Sequence, residues 1–471
     1  MSSSSSADAT LRLGPPSGPA GPDVPDRFVG FSVEWTLVDR YMGAGARPVL
    51  ARLLANLDAG VLRIGGGSQD QLRFTTRRRG TEAVIAPADL EAVRATLNAA
   101  PGWQVILGTA VTPKRPWATP RHAHLFVTHG VVPAFAGAEE RVVGIELGNE
   151  PDISYRSLRS YLAALEARAD VTRPFGPVAP ATATPLAPWA KIAGRSVPTR
   201  FFWHWPEILD SAALRLASDH FYPTSRACRT DRYRCASIRR LLSDGRMATF
   251  AAVVREHAGQ AARHDVAYRV AEINSAAGRG VERVSDTAGS ALWALDAMFT
   301  AARHGAVGVN FHNAEVRAFL HPEQGNAYYN PIRYDPGPAR GAPSPAPMYY
   351  ALLLFAGFAQ GGRDLRPAAL PPGPLKGWQL GATRLFLINR AARGTTVNVE
   401  ASASTCDVHR LTPHDLDGRR KLGAPAVTID GRRVRPDGTW PGFRGQREAS
   451  DNGRFRLAVG GGEAVVISLS G

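Results

Sequence analysis

Between Phe28 and Phe358 the chain alternates short apolar runs with stretches whose apolar residues recur at helical spacing. The runs Phe28–Trp35, Val61–Ile64, Trp103–Ala110, Val142–Leu147, Pro177–Ala183, Leu214–Asp219, Tyr268–Ile273 and Ala306–Phe311 are rich in β-branched and aliphatic residues. They read as strands buried on both faces, as in a parallel sheet. Pro48–Leu57, Pro87–Ala99, His122–Phe135, Leu158–Ala169, Phe201–Leu209, Met247–Arg263, Thr287–Arg303 and Tyr349–Phe358 fall after these runs and read as helices. This strict order predicts an α/β fold, a (β/α)8 TIM barrel over residues 26–360. Beyond Gly361 the pattern shifts to short alternating or apolar runs, Gly377–Asn389, Thr395–Ala401, Val427–Ile429 and Glu463–Leu469, separated by Gly and Pro. That predicts a C-terminal antiparallel β-sandwich over 361–471. Residues 1–25 contain Gly14-Pro15-Pro16-Ser17-Gly18-Pro19 and are expected to be a linker or to lend the sandwich a strand.

Composition narrows the class. With 44 % hydrophobic and 21 % charged residues, the 471-residue chain has the make-up of a globular protein with two cores. No apolar run approaches the roughly 18 residues of a membrane helix, so no membrane partner is expected. The net charge of +15 and pI of about 10.3 favour a polyanionic partner, and an acidic polysaccharide fits that field. Nucleic acid fits less well, because the arginines are scattered and form no basic arm, helix-turn-helix or zinc-finger pattern. An arginine-rich surface of purely compositional origin is the plain alternative. The three cysteines match no zinc spacing, so neither a metal nor a cofactor is expected. Cys228 and Cys235 lie seven apart in one polar loop, a separation suited to a small disulfide in an oxidising compartment, with Cys406 left as a core thiol. The Ser-rich start lacks a signal-peptide layout. A secreted or periplasmic location with the leader outside this sequence is expected, a cytoplasmic one being the alternative.

Barrel enzymes gather their chemistry at the carboxyl ends of the strands. Glu34, Ser68, Asp70, Asn149, Glu150, His220, Tyr222, Glu272, Asn274, His312 and Asn313 all follow strands at that end. Glu150 ends the fourth strand in Asn149-Glu150-Pro151, and Glu272 stands near the end of the seventh. Two such carboxylates suit glycoside hydrolysis, one donating a proton to the leaving oxygen and the other attacking the anomeric carbon. The hydroxyl of Tyr222 suits a donor that keeps Glu272 ionised. Glu146, four residues before Glu150, reads as a paired barrel residue. The long segment from His312 to Pro347 is the expected place for a wall across the cleft.

These motifs carry a resemblance. Phe28-Val29-Gly30-Phe31-Ser32-Val33-Glu34, Arg63-Ile64-Gly65-Gly66-Gly67-Ser68-Gln69-Asp70, Gly148-Asn149-Glu150-Pro151 and Ala271-Glu272-Ile273-Asn274-Ser275, with Ser285-Asp286-Thr287 and Ala291-Leu292-Trp293 following, resemble glycoside hydrolase family 79, the retaining β-glucuronidases and heparanases. The resemblance covers the barrel and, more loosely, the β module. It implies that Glu150 is the acid/base, Glu272 the nucleophile and Asn149 a donor to the 2-hydroxyl of the cleaved sugar. It also implies that backbone amides of the loop Gly278-Arg279-Gly280, with Tyr328 or Tyr329, hold a uronic acid carboxylate, and that Glu34 and Asp70 reach outer hydroxyls. Arg279 departs from the family pattern by interrupting a glycine pair. The expected activity is exo-β-glucuronidase on a uronic-acid-containing substrate. Alternatives are an endo-acting, heparanase-type enzyme on heparan sulfate or a related acidic polysaccharide, and a non-catalytic carbohydrate-binding relative.

Overall fold

The computed structural model describes residues 9–15, 18–76, 84–184, 201, 204–211, 213–314, 327–334, 342–414 and 421–470. Eight parallel strands close into a barrel: β1 Gly30–Glu34, β2 Gly60–Gly65, β3 Trp103–Thr109, β4 Val142–Leu147, β5 Pro177–Thr182, β6 Leu216–Phe221, β7 Ala267–Ile273 and β8 Val309–Asn313. β8 closes on β1 through Phe311 opposite Phe31 and Asn313 opposite Val33. This is a TIM barrel. Its helices ring the strands and bury a continuous apolar layer in which Phe28, Leu53, Trp103, Leu292, Phe299 and Phe355 are all fully enclosed.

One helix departs from expectation. His122–Phe135 reads as continuous, but the chain forms Pro120–Phe126, widens by one turn at Val127–Val131, and ends with Val132–Ala134. Pro133 lacks an amide donor, and Gly130 lies so close to Leu90 that a Cβ there would approach it to 2.7 Å. The run Gly377–Asn389 likewise divides into a hairpin, Leu375–Leu380 against Arg384–Asn389, because Gly381 turns in the left-handed region at φ 59°.

The C-terminal part is two facing sheets. Leu375–Leu380, Arg384–Asn389, Ala464–Ser470 and Thr405–His414 lie antiparallel in the larger sheet. Thr395–Glu400 and Arg454–Val459 form the smaller one, where Ala9–Arg12 adds a parallel edge. Leu11, Leu387, Val397, Cys406, Phe455 and Ile467 fill the space between.

The amino-terminal mouth of the barrel is sealed by Arg269 of β7. Its guanidinium donates to the Asn310 Oδ1 at 2.5 Å and to the carbonyls of Arg27, Phe28 and Val29 at 3.1–3.3 Å. Gly30 and Gly308 leave the room: a Cβ on either would stand within 2.8 Å of that guanidinium. Burial pulls the Arg269 pKa down to about 9. Arg269→Met is expected to strand these acceptors and lower stability by about 3 kcal/mol, read as a shift of the urea midpoint.

Candidate active site

At the opposite mouth, a fully buried arginine organises the carboxyl ends of the strands. Arg63 leaves β2 toward the barrel axis and donates from Nε to both oxygens of Glu146 on β4 at 2.8 and 3.0 Å. Its Nη1 reaches the Glu272 Oε2 of β7 at 2.7 Å and the Ser32 Oγ of β1 at 3.0 Å. Nη2 holds the Asn149 Oδ1 at 2.9 Å. With its oxygen so committed, Asn149 has its amide NH2 left to offer.

Glu272 is buried but still lines the cavity. Tyr222, just beyond β6, donates its hydroxyl to Oε1 at 2.5 Å, and the His312 Nδ1 lies 3.5 Å from Oε2. Burial alone would raise its pKa, but His312, His220, Arg63 and the Tyr222 hydroxyl together hold the carboxyl far below the ordinary carboxylate range. Glu150 is placed differently. Its side chain is 27 % exposed, and its Oε1 meets the His220 Nδ1 at 3.2 Å. Burial opposes a proton on His220, yet the charge of Glu272 and the Glu150 contact raise its pKa overall. Glu150 also sits in the left-handed region at φ 49°, directly before Pro151, a conformation that costs an L residue energy. Donor atoms of Glu150, His220 and Glu272 lie within 4.8 Å of one another. The trio is small enough to bracket a cation, but both Glu272 oxygens already accept hydrogen bonds and face the Arg63 charge, which disfavours one. What remains is a pair of close carboxylates, one locked ionised and one near solvent.

These groups open into a cavity of about 510 Å3 lined by Glu34, Tyr222, Gly278, Arg279, His312 and Tyr329 among others. Glu34 accepts the Ser68 amide at 2.7 Å and faces the His312 Nε2 at 3.5 Å. Burial raises its pKa, but His312 and Ser68 outweigh burial and lower it. Gly66 must be glycine here, since its φ is 68° and a Cβ would stand 2.6 Å from the Glu34 carboxyl carbon. An adjoining pocket of about 440 Å3, sharing Glu150 and Ile153, is lined by Asp70, Gln71, Lys114, Arg115 and Asn149.

Several expected residues are placed elsewhere. Asp70 does not line the cavity: its carboxylate accepts the amides of Val111, Thr112 and Asn149 at 3.0–3.3 Å, so it positions the loop ends and has little left for a sugar. Ser68, Asn274 and Asn313 are buried and bonded to backbone, Asn274 through the carbonyls of His312 and Tyr329. Tyr329 lines the cavity, whereas Tyr328 contributes its amide to the Arg279 carbonyl at 3.0 Å. The Gly280 amide is taken by the Ala276 carbonyl, while among the described residues no acceptor faces the amides of Gly278 and Arg279. Cys228 and Cys235 form a disulfide. It ties a loop whose Arg234 lines the cavity and donates to the Tyr222 carbonyl at 3.1 Å. The segment from His312 to Pro347 lies in large part outside the described residues. Arg63 has no role in the strand pattern, although an arginine between Leu62 and Ile64 in a buried strand is itself a sign of a paired interior charge.

No family model matches the sequence, and no curated protein matches it. Solved structures do resemble its fold. A 4-O-α-L-rhamnosyl-β-D-glucuronidase from Fusarium oxysporum, in complex with Rha-GlcA, aligns with a TM-score of 0.74 at 18 % identity, covering 98 % of this chain and 100 % of that one. A family 51 α-L-arabinofuranosidase from Bifidobacterium longum aligns with a TM-score of 0.65 at 17 % identity, covering 99 % and 100 %. A GH39 enzyme from Xanthomonas axonopodis pv. citri gives 0.59 at 14 %, covering 99 % and 98 %. At these identities the likeness is one of fold.

Because Glu272 ionises far more readily in the folded chain than at its ordinary value of 4.5, its charge stabilises the fold above that pH. That contribution is lost as the pH falls through the depressed value. Arg63→Met removes the counter-charge for two buried carboxylates and is expected to cost about 3–5 kcal/mol at pH 7. The deficit should shrink on acidification, as protonation relieves Glu272, which denaturation curves at pH 7 and pH 5 will read.

Proposed function

We propose that the chain is a retaining glycoside hydrolase of the family 79 type that removes β-linked glucuronic acid from the ends of its substrates. The observation that carries this is the pairing within 4.8 Å of Glu150, just beyond β4, and Glu272 on β7. Retaining enzymes keep their carboxyl groups about 5 Å apart, too close for a water to act between them and the sugar. Glu272, ionised and aimed by Arg63 and Tyr222, attacks the anomeric carbon and forms a sugar ester. Glu150, nearer to solvent, gives its proton to the leaving oxygen and then takes one from the water that cleaves the ester. Asn149 offers its NH2 to the sugar's 2-hydroxyl, and Glu34 takes an outer hydroxyl.

A uronic acid is favoured over a neutral sugar by the far wall. Gly278, Arg279 and Tyr329 line it, and the amides of the first two with the phenol of the third would serve as donors for a carboxylate. The glucuronidase among the structural neighbours supports the same sugar. A second reading, endo-cleavage of an acidic polysaccharide, draws support from Lys114 and Arg115 in the pocket beyond Glu150. The Cys228–Cys235 disulfide supports a secreted or periplasmic location.

The test is hydrolysis of an aryl β-glucuronide beside the matching β-glucoside, with the first product followed by NMR. The glucuronide should be cleaved preferentially with β-glucuronic acid released first, and Glu272→Gln should lower kcat by at least about 10^3-fold. Initial release of the α-anomer would exclude the double displacement, and equal turnover of the glucoside would exclude the uronide. Tyr222→Phe removes one of the donors that depress the Glu272 pKa. Its acidic limb of kcat/KM is therefore expected at higher pH than in the wild type.

A further inference from the structure

Three consecutive residues of the cavity wall, Gly278, Arg279 and Gly280, occupy the left-handed region, with φ of 80°, 71° and 77°. Glycine is the natural occupant there. At Gly280 it is also required by space, since a Cβ would approach the Tyr329 amide to 2.8 Å. Arg279 carries a full side chain at the centre of this run and bears the conformational cost of a Cβ at positive φ.

Its guanidinium is unlike the other cations of the site. Arg63 is held by Glu146 and Glu272, and Arg234 by Asp231 at 2.6 Å. Arg279 lines the cavity with no ion-pair partner among the described residues. It shares the cavity lining with Tyr329, Glu150 and Glu272. The cavity also holds three carboxyl groups, Glu34, Glu150 and Glu272. Their partners, His312, His220 and Arg63, are already engaged with them. An anionic sugar entering this space meets repulsion that backbone amides, being only dipoles, offset weakly.

We propose that Arg279 is the specificity-determining residue of this site: its guanidinium takes the carboxylate of the incoming sugar as a charge-assisted, two-pronged contact and so selects uronides over neutral glycosides. The inference rests on the uronide reading above and adds the group that decides between sugars. The anchor of the loop is separate from this side chain. The Tyr328 amide holds the Arg279 carbonyl, which any residue at 279 retains.

Arg279→Gly tests it cleanly, because glycine suits the backbone and the melting temperature should not fall. With an aryl β-glucuronide and the matching β-glucoside, the variant should lose the wild-type preference by about tenfold or more, the change falling on KM rather than kcat. The wild-type KM for the glucuronide should rise with salt, and that dependence should weaken in Arg279→Gly. Arg279→Lys, which keeps the charge, should recover part of the preference. A purely structural role would give none of these. If the wild type prefers the glucuronide and Arg279→Gly keeps both the preference and the salt dependence, this inference is overturned and the amides and Tyr329 suffice. If the wild type itself shows no preference for the glucuronide, the uronide reading falls and this inference with it.

Discussion

The pairing of Arg63 with Glu146 and Glu272 sets the terms for everything at the carboxyl mouth of the barrel. A guanidinium with no exposure to water must be matched by charge and by acceptors in a fixed plane, and here those come from β1, β4 and β7 together. The requirement works in both directions. Three strands are held in one register around the cation, and in return Glu272 is kept ionised in a space where burial would otherwise protonate it. Asn149 is oriented by the same group, so the amide beside Glu150 is set by an arginine two strands away.

The difference between the two glutamates is then a difference of surroundings. Glu272 is encircled by donors, whereas Glu150 meets one imidazole and open space. The proposed mechanism gives identical side chains opposite tasks on this ground, one ringed by donors and the other open to solvent. Glu150 holds its strained backbone directly before Pro151 and lines the cavity.

Much of this was legible in the residues and some was not. The barrel strands announce themselves by apolar runs, and Glu150 and Glu272 by their place at the ends of two of them. The strand Thr405–His414 did not, because His409 and Arg410 break its alternation while the sheet still buries Cys406, Val408 and Leu411. Arg454–Val459 alternates plainly and could have been read. Asp70 follows a strand as a substrate-binding carboxylate would, but three amides from two other loops claim it, and contacts between loops leave no trace in local pattern. Neighbours in sequence are equally opaque: Tyr328 and Tyr329 differ only in which way the chain faces as it passes Arg279.

The loops beyond β6 and β7 are joined over the cavity, where Thr224 and Ser225 pair in parallel with Ala276 and Ala277, and the Arg226 amide bonds the Ala277 carbonyl. The first loop carries Tyr222 and the disulfide, and the second carries Gly278 and Arg279. Heredity must therefore treat this wall as a single tile laid across two strands. A drift of the backbone in either loop shifts the other, while the buried charge beneath stays in place.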